Sequence, residues 1–103
     1  MSDFIKVANK NEIKENSMKA FEISGKRIMI ANLGGEFFAV NNNCTHEEGF
    51  LSDGEVVGGC CVECPIHGAR FDLRTGTVKA LPATEPLKTY EIKIEGDNLF
   101  VNI

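Results

Sequence analysis

The sequence predicts an all-β protein, an antiparallel β-sandwich or barrel base formed by both chain ends with an inserted, loop-rich segment. Three observations carry that reading. Apolar–polar alternation recurs in short runs separated by glycine turns, the pattern of a meander of hairpins. Helix-forming stretches are scarce. The middle, from residue 41 to about 86, holds all four cysteines, both histidines and all three prolines. Segments of that composition carry function on a rigid scaffold.

Taken in order, residues 11–16 (Asn-Glu-Ile-Lys-Glu-Asn) offer a turn or two of helix, too short to stand alone. Residues 18–23 alternate, and Gly25-Lys26 divides them from a second strand at 27–32. Gly34-Gly35 then turns the chain into a third at 36–41. Near the end, residues 87–95 alternate as Leu-Lys-Thr-Tyr-Glu-Ile-Lys-Ile-Glu. Gly96-Asp97 makes the turn and residues 99–103 return, the clearest hairpin in the chain.

A length of 103 residues leaves room for one domain, residues 1–103. The hydrophobic share of 43% and charged share of 25% are those of a globular protein. A net charge of −4 argues against nucleic acid, which needs clustered Lys and Arg, and permits a partner with a basic face. The longest apolar runs, residues 28–31 and 37–40, fall far short of the ~20 residues of a spanning helix. The opening Met1-Ser2-Asp3-Phe4 lacks the basic and apolar regions of a signal peptide. These features predict a cytoplasmic protein, where thiols stay reduced. The cysteines there point to metal or redox chemistry, not to a disulfide framework.

Two short motifs stand out: Cys44-Thr45-His46 and Cys64-Pro65-Ile66-His67, with seventeen residues between His46 and Cys64. Facing one another, they would supply two sulfurs and two ring nitrogens, a set that suits tetrahedral zinc or an iron–sulfur cluster. Zinc motifs often pair C-x-x-C with H-x-x-x-H, whereas each arm here mixes Cys with His. Cys61-Val62-Glu63-Cys64 also reads as a C-x-x-C redox motif, but it competes for Cys64 and lacks a βαβ context. Cys60 and Cys61 are expected on the strand leading into the second motif, one packed inward and the other facing out.

The pattern C-x-H, seventeen residues, C-x-x-H resembles the signature of Rieske [2Fe–2S] proteins. The flanking residues agree: Leu51-Ser52-Asp53-Gly54 after the first motif, Gly68-Ala69-Arg70-Phe71-Asp72 after the second, then Thr75-Gly76 and Leu81-Pro82-Ala83. Across essentially its whole length the chain is similar to the Rieske-type ferredoxins of aromatic-ring dioxygenases. The resemblance implies one [2Fe–2S] cluster per chain, in a subdomain at about residues 41–84. Cys44 and Cys64 would bind one iron, and His46 and His67 the other. Neutral imidazoles leave the oxidised core two negative charges poorer than four thiolates would, which fits the higher potentials of Rieske centres. Gly49 and Gly68 would admit backbone N–H groups to the sulfides, and Pro65 would stiffen the second loop.

By the same resemblance the chain is an electron carrier, not an enzyme. A flavin-dependent reductase would load it and a terminal oxygenase would receive the electron, each through transient contact near His46 and His67, with the carrier a monomer. In the cytochrome bc complexes, cysteines beside the ligand motifs form a disulfide; Gly49 and Ile66 hold those places here. Those complexes also have a serine and a tyrosine where this chain has Ala69 and Phe71. Without their hydroxyls the expected potential lies near the low end of the Rieske range, roughly −150 mV. Two alternatives stay open on the residues: a small electron-transfer subunit of a nitrite-reductase-like complex, and a zinc-binding interaction module. Glu47 and Glu48 could steer a basic partner, while Phe37, Phe38 and Tyr90 read as core or strand-surface residues.

Overall fold

The computed structural model describes residues 4–23, 25–42, 50–65, 68–80 and 86–102. All regular structure there is β apart from two short 3-10 turns, Lys10–Glu12 and Leu51–Asp53. The strands are β1 (Phe4–Asn9), β2 (Ser17–Ile23), β3 (Lys26–Leu33), β4 (Glu36–Asn41), β5 (Glu55–Val57), β6 (Cys61–Glu63), β7 (Arg70–Asp72), β8 (Val78–Ala80), β9 (Thr89–Tyr90), β10 (Ile92–Glu95) and β11 (Asn98–Asn102). They form three antiparallel sheets in the orders β1-β11-β10, β2-β3-β4-β9 and β5-β6-β7-β8.

The middle sheet is apolar on both faces, and β3 shows why. Ile28 and Ile30 pack with Ala39, Leu99 and Val101 toward the sheet of the chain ends. Their neighbours Met29, Ala31 and Leu33 face the other way, joining Val40 of β4 and Leu51, Val62, Phe71 and Leu73 of the inserted segment. Side chains alternate across a strand, so one buried on both faces reads as a continuous apolar run. That is the origin of the run at residues 28–31. Asn32 is the buried polar exception on β3. Its amide donates to the Ile13 carbonyl at 2.9 Å and its Oδ1 accepts from the Gly35 amide at 2.8 Å, so no polar atom of that side chain is left without a partner.

The predicted central strands and the final turn fall where the alternation of residues 18–23 and the glycine turns place them. Two features differ. The alternating run 87–95 is not one strand: Thr89–Tyr90 pairs with β4 in the middle sheet, while Ile92–Glu95 pairs with β11 in the outer one. The chain changes sheets at Glu91, whose carbonyl accepts from the Asn102 amide at 2.9 Å. A period of two cannot reveal such a switch, because alternation continues through it. The expected helical stretch is a single 3-10 turn at Lys10–Glu12, held by a capping box between Asn9 and Glu12. The inserted segment is also more regular than a loop reading implies, with four short strands in a meander.

Candidate metal centre

Of the four candidate ligands, Cys64 is described; Cys44, His46 and His67 lie outside the described residues, as do Glu47, Glu48, Gly49 and Ile66. What can be built is the frame that holds both ligand loops.

The second loop grows directly out of a β-hairpin. Glu63 on β6 pairs with Arg70 on β7, and the Arg70 guanidinium reaches the Glu63 carboxylate at 2.9 Å. One residue further, the Cys64 amide donates to the Ala69 carbonyl at 2.7 Å, and the Gly68 amide donates back to the Cys64 carbonyl at 3.1 Å. Cys64 thus heads a tight turn whose two ends are bonded together, with Pro65 restricting its first step. Its thiol is fully buried and free of any disulfide, in an apolar cluster with Ala69, Phe71 and Leu51.

The first loop is closed at its neck by Asn42. This buried residue precedes residues 43–49, and Leu51 and Ser52 follow them. The Leu51 amide donates to the Asn42 carbonyl at 2.8 Å, and the Ser52 amide donates to Asn42 Oδ1 at 2.9 Å. Asn42 is anchored in turn by its own amide on the Arg27 carbonyl at 3.0 Å. The sequence reading passed over Asn42. The available signal was an Asn beside a ligand motif, since its short amide readily captures nearby backbone N–H groups.

Gly54 couples the two loops. An added Cβ there would run into the Glu63 carbonyl and sit 3.2 Å from the Leu51 carbonyl oxygen. The residue after the first loop's 3-10 turn therefore lies flat against the backbone that delivers Cys64. Gly76 makes a similar close approach to the Leu87 carbonyl, where the insert returns to the base.

Cys60 and Cys61 differ from expectation in two respects, the first being that Cys60 lies in the turn before β6 and only Cys61 on the strand. Cys61 is buried and Cys60 partly exposed, as the alternation predicts, but their sulfurs are joined in a disulfide between neighbours. In the structure Cys61 is paired with Cys60, and Cys64 of the C-x-x-C motif is free. Phe37 and Tyr90 pack on the core beneath the outer sheet and Phe38 on the core beneath the insert. Burial pushes the Tyr90 phenol above its ordinary pKa. Among the described residues, no helix is long and apolar enough to cross a membrane.

Three antiparallel sheets, with a buried, free thiol where β6 leaves the sheet of the insert, define a small all-β protein that carries a cysteine of one of the two Cys/His motifs in its core. The donor set fits an iron–sulfur cluster, because thiolate and imidazole are ligands such clusters accept. The Rieske [2Fe-2S] domain family matches residues 3–91, and this chain belongs to it. The chain is 40% identical over 98 residues to the ferredoxin component of biphenyl 2,3-dioxygenase from Rhodococcus jostii strain RHA1, covering 95% of this chain and 91% of that protein. Its fold matches the ferredoxin of carbazole 1,9a-dioxygenase from Nocardioides aromaticivorans IC177 with a TM-score of 0.93, at 32% identity and 98% coverage of both chains. It also matches a chain in the complex of reduced oxygenase and oxidized ferredoxin of carbazole 1,9a-dioxygenase, with a TM-score of 0.92 at 26% identity over 99% of this chain and 94% of that one. The chain is an electron carrier of the dioxygenase-ferredoxin type, with a [2Fe–2S] cluster as its cofactor, and not itself a catalyst.

Proposed function

We propose that Cys44, His46, Cys64 and His67 hold the cluster, the cysteines on one iron and the histidines on the other. In this reading the chain carries single electrons from a flavin-dependent reductase to a terminal oxygenase in the cytoplasm. The observation that carries it is Cys64: a free, fully buried thiol at the head of a closed turn, inside the second of the two ligand motifs. The cluster, when bound, supplies a centre that takes up and gives up one electron at a time. This chain's residues do the rest. The Cys64–Ala69 and Gly68–Cys64 hydrogen bonds fix one arm of the site, and the Asn42 clamp fixes the neck of the other. Two cores sharing β3 support a single domain over residues 1–103, with residues 41–84 as the cluster-bearing part.

Partner contact falls near His46 and His67, transient and small, with the carrier a monomer between encounters. The complex of a carbazole dioxygenase ferredoxin with its oxygenase supports an oxygenase as the acceptor. Ala69 and Phe71 bring no side-chain hydroxyl to the second loop, which supports a potential at the low end of the Rieske range. The test is metal and sulfide analysis of anaerobically purified protein. Two irons and two inorganic sulfides per chain are expected, with a visible spectrum bleached by dithionite and lost in Cys64→Ser. Zinc in place of iron, or iron without sulfide, overturns the reading.

A further inference from the structure

Cys60 and Cys61 lie outside the four ligands, and the carrier function does not use them. Gly58 and Gly59, both with left-handed φ (63° and 69°), turn the chain from β5 into β6 and set Cys60 at the corner. The Cys60 amide bonds the Val57 carbonyl at 3.4 Å, and its carbonyl accepts from the Leu73 amide at 3.0 Å. Cys61 opens β6, paired with Val57 on one side and Asp72 on the other. The two sulfurs are joined across one peptide unit, with Cα atoms 3.8 Å apart. A bridge stabilises a fold chiefly by closing a loop of the unfolded chain. Between neighbours there is no loop to close, so this one is not a structural staple. Accessible disulfides and cysteines poised beside a resolving thiol are the redox-active ones.

We propose that Cys60 and Cys61 form a second redox site, separate from the cluster, that cycles between dithiol and disulfide, oxidised by a peroxide and re-reduced by a small dithiol. Cys60, partly exposed, is the attacking thiol; Cys61, 6% exposed, is the resolving one. In the first step the Cys60 sulfur displaces hydroxide from hydrogen peroxide as the O–O bond breaks, leaving a sulfenic acid and one water. Cys61 then attacks the Cys60 sulfur, the S–S bond forms and a second water leaves. Two thiols and one peroxide give one disulfide and two waters. The two electrons come from the sulfurs and reduce the peroxide bond.

The sequence provides a clean assay. Glu55 and Glu63 bracket the pair, so cleavage after glutamate releases residues 56–63, which contain both of these cysteines and neither cluster cysteine. The folded holoprotein is treated with stoichiometric hydrogen peroxide, denatured in iodoacetamide and digested. The expected fragment is unalkylated and about 2 Da lighter than the dithiol, the mass of the two lost hydrogens. Protein reduced with dithiothreitol, freed of it and given no peroxide yields the doubly alkylated form, and the same reduced protein given peroxide returns to the unalkylated one. In Cys61→Ser, peroxide leaves a Cys60 sulfenic acid that dimedone traps; in Cys60→Ser the buried Cys61 stays unmodified under the same exposure. Full alkylation of the wild-type fragment after peroxide overturns the proposal, as does equal dimedone labelling of the two variants or a covalent dimer through Cys60. The readout does not depend on the cluster, so it fails or succeeds separately from the ligand assignment.

Discussion

Replacing Gly54 with alanine tests whether the two ligand loops are held against one another. Three backbone atoms crowd the place a Cβ would take: the Glu63 carbonyl oxygen, well inside van der Waals contact, the Glu63 carbonyl carbon at 3.1 Å and the Leu51 oxygen at 3.2 Å. No side chain can rotate away, so β6 or the Leu51–Asp53 turn must move. Overpacking of this kind costs about 1–3 kcal/mol. At roughly 4–8 °C per kcal/mol for a domain of this size, a cost of about 2 kcal/mol lowers Tm by roughly 8–16 °C. The strand displaced is the one that delivers Cys64, so iron content should fall as well. Gly34→Ala is the control, because its φ of 62° is unfavourable for alanine but nothing lies within 4 Å of the added carbon. It should cost about 1–2 kcal/mol, from backbone conformation alone, and leave iron content unchanged. Thermal melts followed by far-UV circular dichroism, with iron assayed on the same samples, decide the matter. A Gly54→Ala protein that melts within a degree or two of wild type, or keeps its full iron, refutes the coupling.

Asn42→Ala strips the Ser52 amide of its acceptor and should destabilise the protein by about 1–2 kcal/mol, with faster amide exchange at Ser52 than elsewhere in the 3-10 turn. Ala69→Ser places a hydroxyl where other Rieske groups have one. A charge-assisted hydrogen bond of ~1.5–3 kcal/mol favouring the reduced state would raise the potential by roughly 65–130 mV in film voltammetry; an unchanged or lower value would count against the tuning argument. The Asn9 amide bonded to its carboxylate, with Lys19 alongside, holds Glu12 below the ordinary carboxylate pKa. A depressed folded-state value stabilises above the unfolded-state pKa, and that contribution is lost as pH falls through the folded-state value. Glu12→Gln should therefore narrow its deficit against wild type in acid, as compared by urea midpoints at neutral and acid pH.

How far the fold could be read from the sequence depended on the kind of signal. The β2-β3-β4 meander and the final turn were legible because glycine-containing turns, as at Gly34-Gly35 and Gly96-Asp97, punctuate short runs that either alternate or are apolar throughout. The three-residue strands of the insert were not, since a period needs more repeats than Cys61–Glu63 or Arg70–Asp72 can supply. The break at Glu91 was invisible for another reason: the same side-chain alternation serves two sheets in succession. The candidate ligands stood out because Cys and His at fixed spacing carry chemistry in their identity alone. Asn42 did not, because its role depends on where Leu51 and Ser52 return in space.

The first and second ligand motifs are far apart in the chain, yet their supports are a single unit. Glu55, just past the first loop's 3-10 turn, pairs with Glu63, the residue before Cys64, so β5 and β6 bind the exit of one loop to the entry of the other. Gly54 presses the same junction closed, and Asn42 closes the first loop back onto β3 through the Arg27 carbonyl. Gly49 and Ile66 stand where related proteins use a disulfide to tie the loops. Here hydrogen bonds and close backbone packing perform that task at the loops' bases. The consequence is that a reductant such as dithiothreitol should leave the loops' alignment intact, while a single methyl group at Gly54 disturbs it.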